Sequence, residues 1–451
     1  MIQRPVLLLM LILLVFPVSA ETAKHDPFAL IEEFSRLKKD KCWPGFDPSV
    51  YPVAIYDGER TLLFNHPHPP EGFTALEDRT HVAVWQGQHP MVKGNTSVDM
   101  GGITSATVLL NMLEETPLKK VAAVVAHECF HVYQKGHFPD RWPNSTEIFL
   151  YPVEDTAQLR LKRLETEALR RSFDSDDSAE GGPWLALALK LHTERMELLP
   201  EGSRDWERGV EFIEGTARYV ESVAAGEELP LIPEEGYAAD KARYRAYSIG
   251  YAWAVWLDRL LPDWKRNLKE ADPPWLDVLL TTGWKEHAGL AEFSDVELDT
   301  YSAIAERAAS EIINAKEQMR SELLARVGWK LVIVCSAGRP LWPSGFDPMN
   351  VKTLDNGEVL HTRWLTLKNE TGEFEVNGTQ ALTEPAGEHP LFTGVSRVTV
   401  TGIREKSELQ QMGEMVSFES GAISFKFARA KWKYEDETLT IYPLEPKAQT
   451  N

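Results

Sequence analysis

The spacing of apolar residues changes character twice along the chain. Strand-like runs occur in its first part, at 81–85 and 103–110. Helical periodicity then dominates as far as Gly328, where short alternating runs return. Helices repeat apolar positions every three or four residues and strands every two, so this order predicts an α+β protein. We expect a small upstream sheet, a mainly helical region and a C-terminal β-sandwich or barrel.

The pattern after Gly328 predicts several strands. Four runs have strand character: 329–335, 359–367, 397–403 and 423–427. Asn356-Gly357 and Asn377-Gly378 are dipeptides typical of hairpin turns. After the first 20 residues, the chain is therefore expected to divide into three parts: a domain at 21–328, a β-rich accessory domain at 329–446 and a tail at 447–451.

Residues 1–20 have the composition of a secretory signal peptide. Arg4 precedes an apolar run at 6–16, and small residues follow at 18–20. The run is shorter than the roughly 18 residues that a membrane-spanning helix requires. We therefore expect a protein that is secreted or exported to a periplasm, without a membrane span.

The charge of the chain bears on its partners. The sequence has 68 acidic and 48 basic side chains, which give a net charge of −20. A protein of this charge is repelled by the phosphates of nucleic acids and by anionic lipid headgroups. We therefore expect no nucleic acid partner, and the charge leaves the oligomeric state open.

Three cysteines are a sparse set for an oxidising compartment. Cys42 and Cys335 could form a disulfide across the chain, and the sequence leaves this pairing open. Cys129 is expected to be a small buried hydrophobic residue, because it points away from the histidines that flank it.

The strongest chemical signal is the sequence His127-Glu128-Cys129-Phe130-His131. Residues four apart lie on one face of a helix, so the imidazoles of His127 and His131 can reach one metal ion. Glu128 lies beside them and could act as a general base toward a water that zinc acidifies from 15.7 to about 7. The pattern predicts a hydrolytic zinc site, although two histidines four apart also occur on ordinary helices.

This motif lies on a predicted helix. Thr116 is a suitable cap, and Pro117 suits the first helical position. The apolar run 121–126 carries the segment into the core, and Lys135-Gly136 is a typical end.

A catalytic zinc site needs a third protein ligand, and a second helical segment offers one. This segment contains Glu214-Gly215-x-Ala217-x-Tyr219-x-Glu221. Together with the His-Glu-x-x-His sequence, it resembles the paired motifs of gluzincin metallopeptidases such as the aminopeptidase N family. The resemblance is limited to these two short segments. About eighty residues separate the two motifs, far more than in that family, so an inserted helical region must lie between them.

The resemblance implies a zincin-like catalytic domain that binds Zn²⁺ as its cofactor. Glu214 would be the third ligand beside His127 and His131. Glu221 would orient one of the ligating histidines, and Gly215 would let its helix approach the metal helix closely. The Gly-x-Met-Glu-Asn signature of aminopeptidases does not occur in the sequence, so aminopeptidase specificity is not implied.

Glu211 is a competing third ligand. It lies one helical turn before Glu214, on nearly the same face. The helix that carries both is expected to open at Ser203 or Asp205 and to close near Gly226. We favour Glu214 because it is the residue that precedes glycine in the family motif.

Hydrolysis of this kind also needs a group that stabilises the oxyanion. Tyr247 and Tyr251 lie four apart on a predicted helix at 244–261, where aromatic residues are more often part of the core. We favour Tyr247, and His137 and His192 are weaker alternatives.

These residues predict a secreted zinc metallopeptidase that cleaves a peptide or protein substrate. The strand at 103–110 could lie at a sheet edge and hold an extended peptide by backbone pairing. Two alternatives remain open: an inactive relative that keeps the site for binding or structure, and a zinc hydrolase that cleaves another amide or an ester. The presence of Glu128 speaks against the first, because metal binding alone does not require a base.

Overall fold

The structure is a computed structural model. It describes residues 25–445 except for these short segments: 38–41, 175–177, 228–229, 231, 269–272, 284–288, 337, 348–349, 355–356 and 405–407. The expected signal peptide at 1–20 and the tail at 447–451 lie outside the described residues.

Helices and strands follow each other in the order that the sequence predicts. The helices are α1 Pro27–Arg36, α2 Leu118–His137, α3 Thr156–Arg171, α4 Ser178–Leu198, α5 Glu201–Ala225, α6 Ala242–Leu260, α7 Trp264–Asn267, α8 Leu276–Gly283 and α9 Asp295–Leu324. The strands before α2 are β1 Val53–Tyr56, β2 Arg60–Phe64, β3 Thr74–Ala75, β4 Val82–Gln86, β5 Thr96–Met100 and β6 Ile103–Leu109. The expected α+β class is confirmed.

The strands after α9 form the C-terminal part. They are β7 Trp329–Val334, β8 Trp342–Phe346, β9 Val351–Thr353, β10 Val359–His361, β11 Trp364–Asn369, β12 Gly372–Asn377, β13 Ala381–Pro385, β14 Val395–Ile403, β15 Gln410–Met412, β16 Met415–Ser420, β17 Ile423–Phe427, β18 Ala430–Glu435 and β19 Thr438–Pro443.

The upstream sheet has the strand order β3-β4-β2-β1-β6-β5. Strands β1 and β6 run parallel, whereas the other neighbours are antiparallel. Helix α2 packs against β5 and β6. The expectation of an edge strand at 103–110 is wrong, because β6 pairs on both sides and β5 forms the edge.

The helical region is built around α2 and α5, which pack against each other. Helix α6 covers another side of α5, and α3 packs against α4. Helices α3 and α4 lie between the two motifs in sequence, so they are the inserted helical region that the long spacing predicted. One apolar core joins the upstream sheet with α2, α5 and α6, and it includes Phe130, Phe212, Trp253 and Trp264.

Helices α2 and α5 carry the two motifs, and their bounds lie close to the predicted ones. Helix α2 begins at Leu118, with Pro117 at its cap position, one residue later than predicted. Helix α5 begins at Glu201, before the predicted start, and ends where Gly226 adopts a left-handed φ of 73°. A residue with a Cβ atom is disfavoured in that conformation, so the predicted closing glycine is confirmed.

The C-terminal strands form two sheets of seven and six strands, in the orders β18-β19-β7-β14-β13-β10-β9 and β15-β16-β17-β12-β11-β8. Their inner faces share one apolar core, as in a β-sandwich. The run 359–367, predicted as one strand, contains β10 and β11, which belong to different sheets.

The two predicted hairpin turns have different outcomes. Asn377-Gly378 is not a hairpin, because β12 before it and β13 after it lie in different sheets. Asn356 lies outside the described residues, although β9 and β10 on either side of it pair antiparallel.

The three cysteines form no disulfide between the helical region and the C-terminal sandwich. Cys42 and Cys129 lie in the core of the helical region, and Cys335 lies at the core of the sandwich. No disulfide joins Cys42 to Cys335. Cys129 is fully buried, as expected of a small apolar residue.

Helix α9 joins the helical region to the sandwich. Its first half packs against α3, and near its end Leu323 contacts apolar residues of the sandwich. Thr401 donates a hydrogen bond to the Leu323 carbonyl over 2.6 Å. Among the described residues, none of the helices combines the length and the apolar character needed to cross a membrane.

Candidate metal centre

His127, His131 and Glu214 come together between α2 and α5. One potential ligand atom from each of the three lies within 4.8 Å of the other two. The Glu214 Oε2 atom is 3.2 Å from His131 Nε2 and 3.7 Å from His127 Nε2. Each of the three residues is at most 8% exposed. In the described part of the chain, this is the one group of histidine, cysteine and carboxylate side chains placed to hold a metal ion.

His127 is held by a carboxylate on α5. Its Nδ1 atom lies 3.0 Å from Glu221 Oε2, and Arg218 forms an ion pair with the same carboxylate. A carboxylate only accepts, so Nδ1 carries a proton, and Nε2 is the ring nitrogen that faces Glu214. The expected role of Glu221 as a partner of a ligating histidine therefore applies to His127.

His131 is held by an amide. Its Nδ1 atom lies 2.7 Å from Gln134 Oε1. The Gln134 amide nitrogen donates to the Ile213 carbonyl over 2.8 Å and to Thr216 Oγ1 over 2.9 Å. These two bonds fix which end of the amide faces the imidazole, so Gln134 Oε1 accepts a hydrogen bond from the protonated Nδ1 atom of His131. The Nε2 atom of His131 is again the ring nitrogen that faces Glu214.

Glu214 uses its two oxygens differently. Oε2 faces the histidines, whereas Oε1 accepts a hydrogen bond from Arg243 over 3.0 Å. The same Arg243 nitrogen lies 3.4 Å from the Tyr247 hydroxyl. Tyr247 is therefore at the site, as expected of an oxyanion donor. Burial and the nearby Glu214 carboxylate raise the pKa of Tyr247, so its hydroxyl remains protonated at neutral pH.

Glu214 and His127 strongly shift each other's pKa. Burial disfavours the charged form of Glu214, but hydrogen bonds to His127 and His131 outweigh it and hold the pKa of Glu214 well below its usual range. Burial likewise opposes protonation of His127, and hydrogen bonds to Glu214 and Glu221 raise its pKa to about 10. A metal ion at this place would take the position of the imidazole proton between these partners.

Glu128 is buried beside the ligands and is 5% exposed. Its Oε2 atom has no hydrogen-bond partner among the described residues. Burial raises the pKa of Glu128, and the neighbouring His127 and His131 partly oppose that effect. A buried carboxylate oxygen without a partner is costly, and such atoms are often found at functional sites.

The donor set fits zinc. Two imidazole nitrogens and one carboxylate are a ligand set of catalytic zinc sites, which bind at about 2.0–2.2 Å in tetrahedral geometry. Neighbouring donors in such a tetrahedron lie about 3.3–3.5 Å apart. The distances of 3.2 and 3.7 Å from Glu214 Oε2 to the histidines are close to this spacing. Both imidazoles also point Nε2 toward Glu214, and this nitrogen could bind a metal ion once it loses its proton.

Glu211 does not join the group of His127, His131 and Glu214. Glu211 lies in a second buried cluster, where burial raises its pKa to about 8 and the charge of His192 partly opposes this. His192 is fully buried there, with Nδ1 3.0 Å from Glu165, and is therefore no oxyanion donor. His137 is exposed and bonded to the Tyr133 carbonyl over 2.8 Å. Tyr251 is a buried core residue.

Gly215 does not face the metal helix as expected. A Cβ atom at Gly215 would lie 2.5 Å from the Gly250 Cα atom of α6. The small residue therefore brings α5 close to α6, the helix that carries Arg243 and Tyr247. Gly215 therefore allows a close approach of helices, as expected, but the helix that approaches α5 there is α6 and not α2.

Two residues of the site could not be assigned from the sequence alone. Gln134 lies three residues after His131, a spacing that places both on one face of a helix, so a weak signal existed. Arg243 contacts Glu214 across 29 positions of sequence and through a different helix. No local spacing connects them.

The wider comparisons give no relative for this chain. No protein-family model matches it, and no curated protein or solved structure matches it either.

Proposed function

We propose that this protein is a secreted zinc-dependent metallopeptidase of the gluzincin type. The observation that carries the proposal is the fixed orientation of the two histidines. Glu221 and Gln134 bind the Nδ1 atoms of His127 and His131 and so turn both Nε2 atoms toward Glu214. Two histidines without a common ligand would not need hydrogen bonds that fix the orientation of both rings.

In the proposed reaction, His127, His131 and Glu214 would hold the zinc ion. Zinc bound there would supply the Lewis acidity that polarises a carbonyl and makes a water nucleophilic at neutral pH. Glu128 accepts the proton of the attacking water and returns it to the leaving amine. The partnerless Oε2 atom of Glu128 is the atom suited to this transfer. Tyr247 donates its hydroxyl proton in a hydrogen bond to the oxyanion.

The environment of the site suits these roles. Glu128 is buried, so its carboxylate binds a proton more readily than an exposed one, and this favours a general base. Tyr247 remains protonated and can donate. The β5 edge, next to the helix that carries both histidines, could pair with an extended peptide.

The proposal is tested by separating metal binding from proton transfer. The wild-type protein should contain about one zinc per chain by elemental mass spectrometry, and His127→Ala and Glu214→Gln should lose or weaken it. Glu128→Gln should keep its zinc and lose at least about 100-fold in the cleavage rate of a mixture of quenched peptides. Glu197→Gln, an exposed change on α4, is the matched control and should match the wild type in both assays.

The results of the zinc and cleavage assays distinguish between the proposed function and its alternatives. Wild type without zinc, even after reconstitution, would overturn the proposal. Zinc with no cleavage of peptides, amides or esters would indicate an inactive binding protein. Cleavage of amides or esters but not of peptides would indicate a different zinc hydrolase. Cleavage that Glu128→Gln leaves intact would contradict the role of Glu128.

A further inference from the structure

We propose that Arg243 is a positioning residue that fixes the Glu214 carboxylate for metal binding. This inference rests on the proposed function, because it assumes that Glu214 is a zinc ligand. It assigns a role to a residue on α6, a helix that contributes none of the three ligands.

The contacts of Glu214 show how this would work. Arg243 donates to Oε1 over 3.0 Å, while Oε2 lies between the two histidines. Rotation about the last bond of a glutamate side chain has only weak preferences. A partner that binds one oxygen therefore selects the orientation in which the other oxygen faces the metal.

The three proposed ligands then follow one scheme. His127 is held through Nδ1 by Glu221, and His131 is held through Nδ1 by Gln134. Arg243 holds Glu214 through the oxygen that faces away from the histidines. Partners of this kind commonly set metal affinity, and their loss typically weakens binding about 10–100-fold.

The placement of Arg243 suits this role. Its side chain is 49% exposed, whereas that of Glu214 is 10% exposed, so the guanidinium covers the buried carboxylate from the solvent side. The same guanidinium lies over the ring of Tyr247, 5.8 Å from its centroid, and 3.4 Å from its hydroxyl. Arg243 therefore contacts both a proposed ligand and the proposed oxyanion donor.

Whether zinc affinity rises or falls when Arg243 is replaced distinguishes a positioning role from a purely electrostatic one. Arg243 carries a positive charge close to the place of a divalent cation, and like charges repel. If Arg243 acted only through this charge, its removal would tighten zinc binding. If it positions Glu214, its removal weakens zinc binding despite the lost repulsion.

The experiment measures zinc affinity by competition with a chromogenic chelator in the full-length protein. Arg243→Gln should bind zinc about 10–100-fold more weakly than the wild type. Arg243→Lys keeps one charged donor and should recover part of that loss. Lys241→Gln is the matched control, because Lys241 is an exposed cation at the start of the same helix that pairs with Asp240, and its affinity should stay within about twofold.

The outcomes separate this inference from the function on which it rests. Arg243→Gln that binds zinc as tightly as the wild type, or more tightly, would overturn the inference alone. A wild type without zinc would overturn both. If Arg243→Gln does not fold, Arg243→Met takes its place, and zinc affinity in Arg243→Met equal to or higher than that of the wild type would overturn the positioning role.

Discussion

Replacing Glu211 by glutamine should stabilise the protein at alkaline pH and leave its stability near pH 5 almost unchanged. Glu211 is 2% exposed and its Oε1 atom has no hydrogen-bond partner among the described residues. Titratable groups face it from four helices: His192 on α4, Glu207 on α5, Glu165 on α3 and Asp277 on α8. Burial and the three carboxylates raise the pKa of Glu211, while His192 opposes the effect.

The charges of this cluster explain why Glu211 would hold a proton. Three carboxylates and three cations form close ion pairs there: Glu165, Glu207 and Asp277 with Arg195, Arg245 and His192. All six side chains are buried. Arg208 is a fourth cation there and pairs with Asp277 over 2.7 Å. Glu211 Oε1 has no hydrogen-bond partner among the described residues, so a charge on Glu211 would lie in a region of low dielectric constant with only the partial compensation that His192 gives.

The expected magnitude follows from the pKa of Glu211. Its pKa rises from 4.5 to about 8, so protonation stabilises the folded state. This stabilisation is complete below pH 4.5 and is lost as the pH rises through about 8. Each unit of pKa corresponds to about 1.4 kcal/mol, and the full effect is therefore at most about 5 kcal/mol. Glutamine is neutral at every pH and avoids the loss.

The assay is urea unfolding of the wild type and Glu211→Gln between pH 5 and pH 9. The free energies of unfolding should agree within about 1 kcal/mol at pH 5 and differ by about 2–5 kcal/mol at pH 9, with the variant more stable. Glu201→Gln, an exposed change on the same helix, should follow the wild type. Parallel curves for wild type and Glu211→Gln would refute the charge argument. Full zinc retention in Glu211→Gln would in addition support Glu214 as the ligand.

Three further predictions concern single substitutions on α4, α5 and α2. Arg195→Met removes a cation that is fully buried between carboxylates, so it should lower the free energy of unfolding by about 3–5 kcal/mol in urea. Gly215→Ala places a Cβ atom 2.5 Å from Gly250 Cα, and it should lower the free energy of unfolding by about 1–3 kcal/mol in thermal denaturation. Gln134→Leu leaves His131 Nδ1 without its acceptor and should weaken zinc binding about 10–100-fold in chelator competition.

Local sequence signals predicted the positions of helices and strands better than they predicted which strands pair with each other. Capping and stop residues located α2 and α5 to within a few residues, because those signals act within one helical turn. Strand neighbours depend on distant parts of the chain, so β6 was expected at an edge that β5 occupies. The run 359–367 shows the same limit, since a continuous apolar pattern does not reveal where a strand leaves one sheet for another.

The candidate site follows the same rule. Spacing within one helix predicted that His127 and His131 share a face, and the structure brings them together with Glu214. The family motif also pointed to Glu221, which binds His127. Arg243 was not predicted because its contact with Glu214 depends on how α6 packs against α5. The residues near Glu214 in the sequence do not indicate which helix packs there.

The packing of α5 against α6 links the stability of the helical region to the geometry of the site. Glu211, Glu214 and Gly215 occupy neighbouring positions on α5, and Gly215 sets how closely α6 approaches. That approach places Arg243 within 3.0 Å of Glu214. Gly215→Ala should therefore weaken zinc binding as well as lower stability, because a shift of α6 lengthens the bond between Arg243 and Glu214. A variant that loses stability while its zinc affinity stays at the wild-type value would show that Arg243 adapts to the shift.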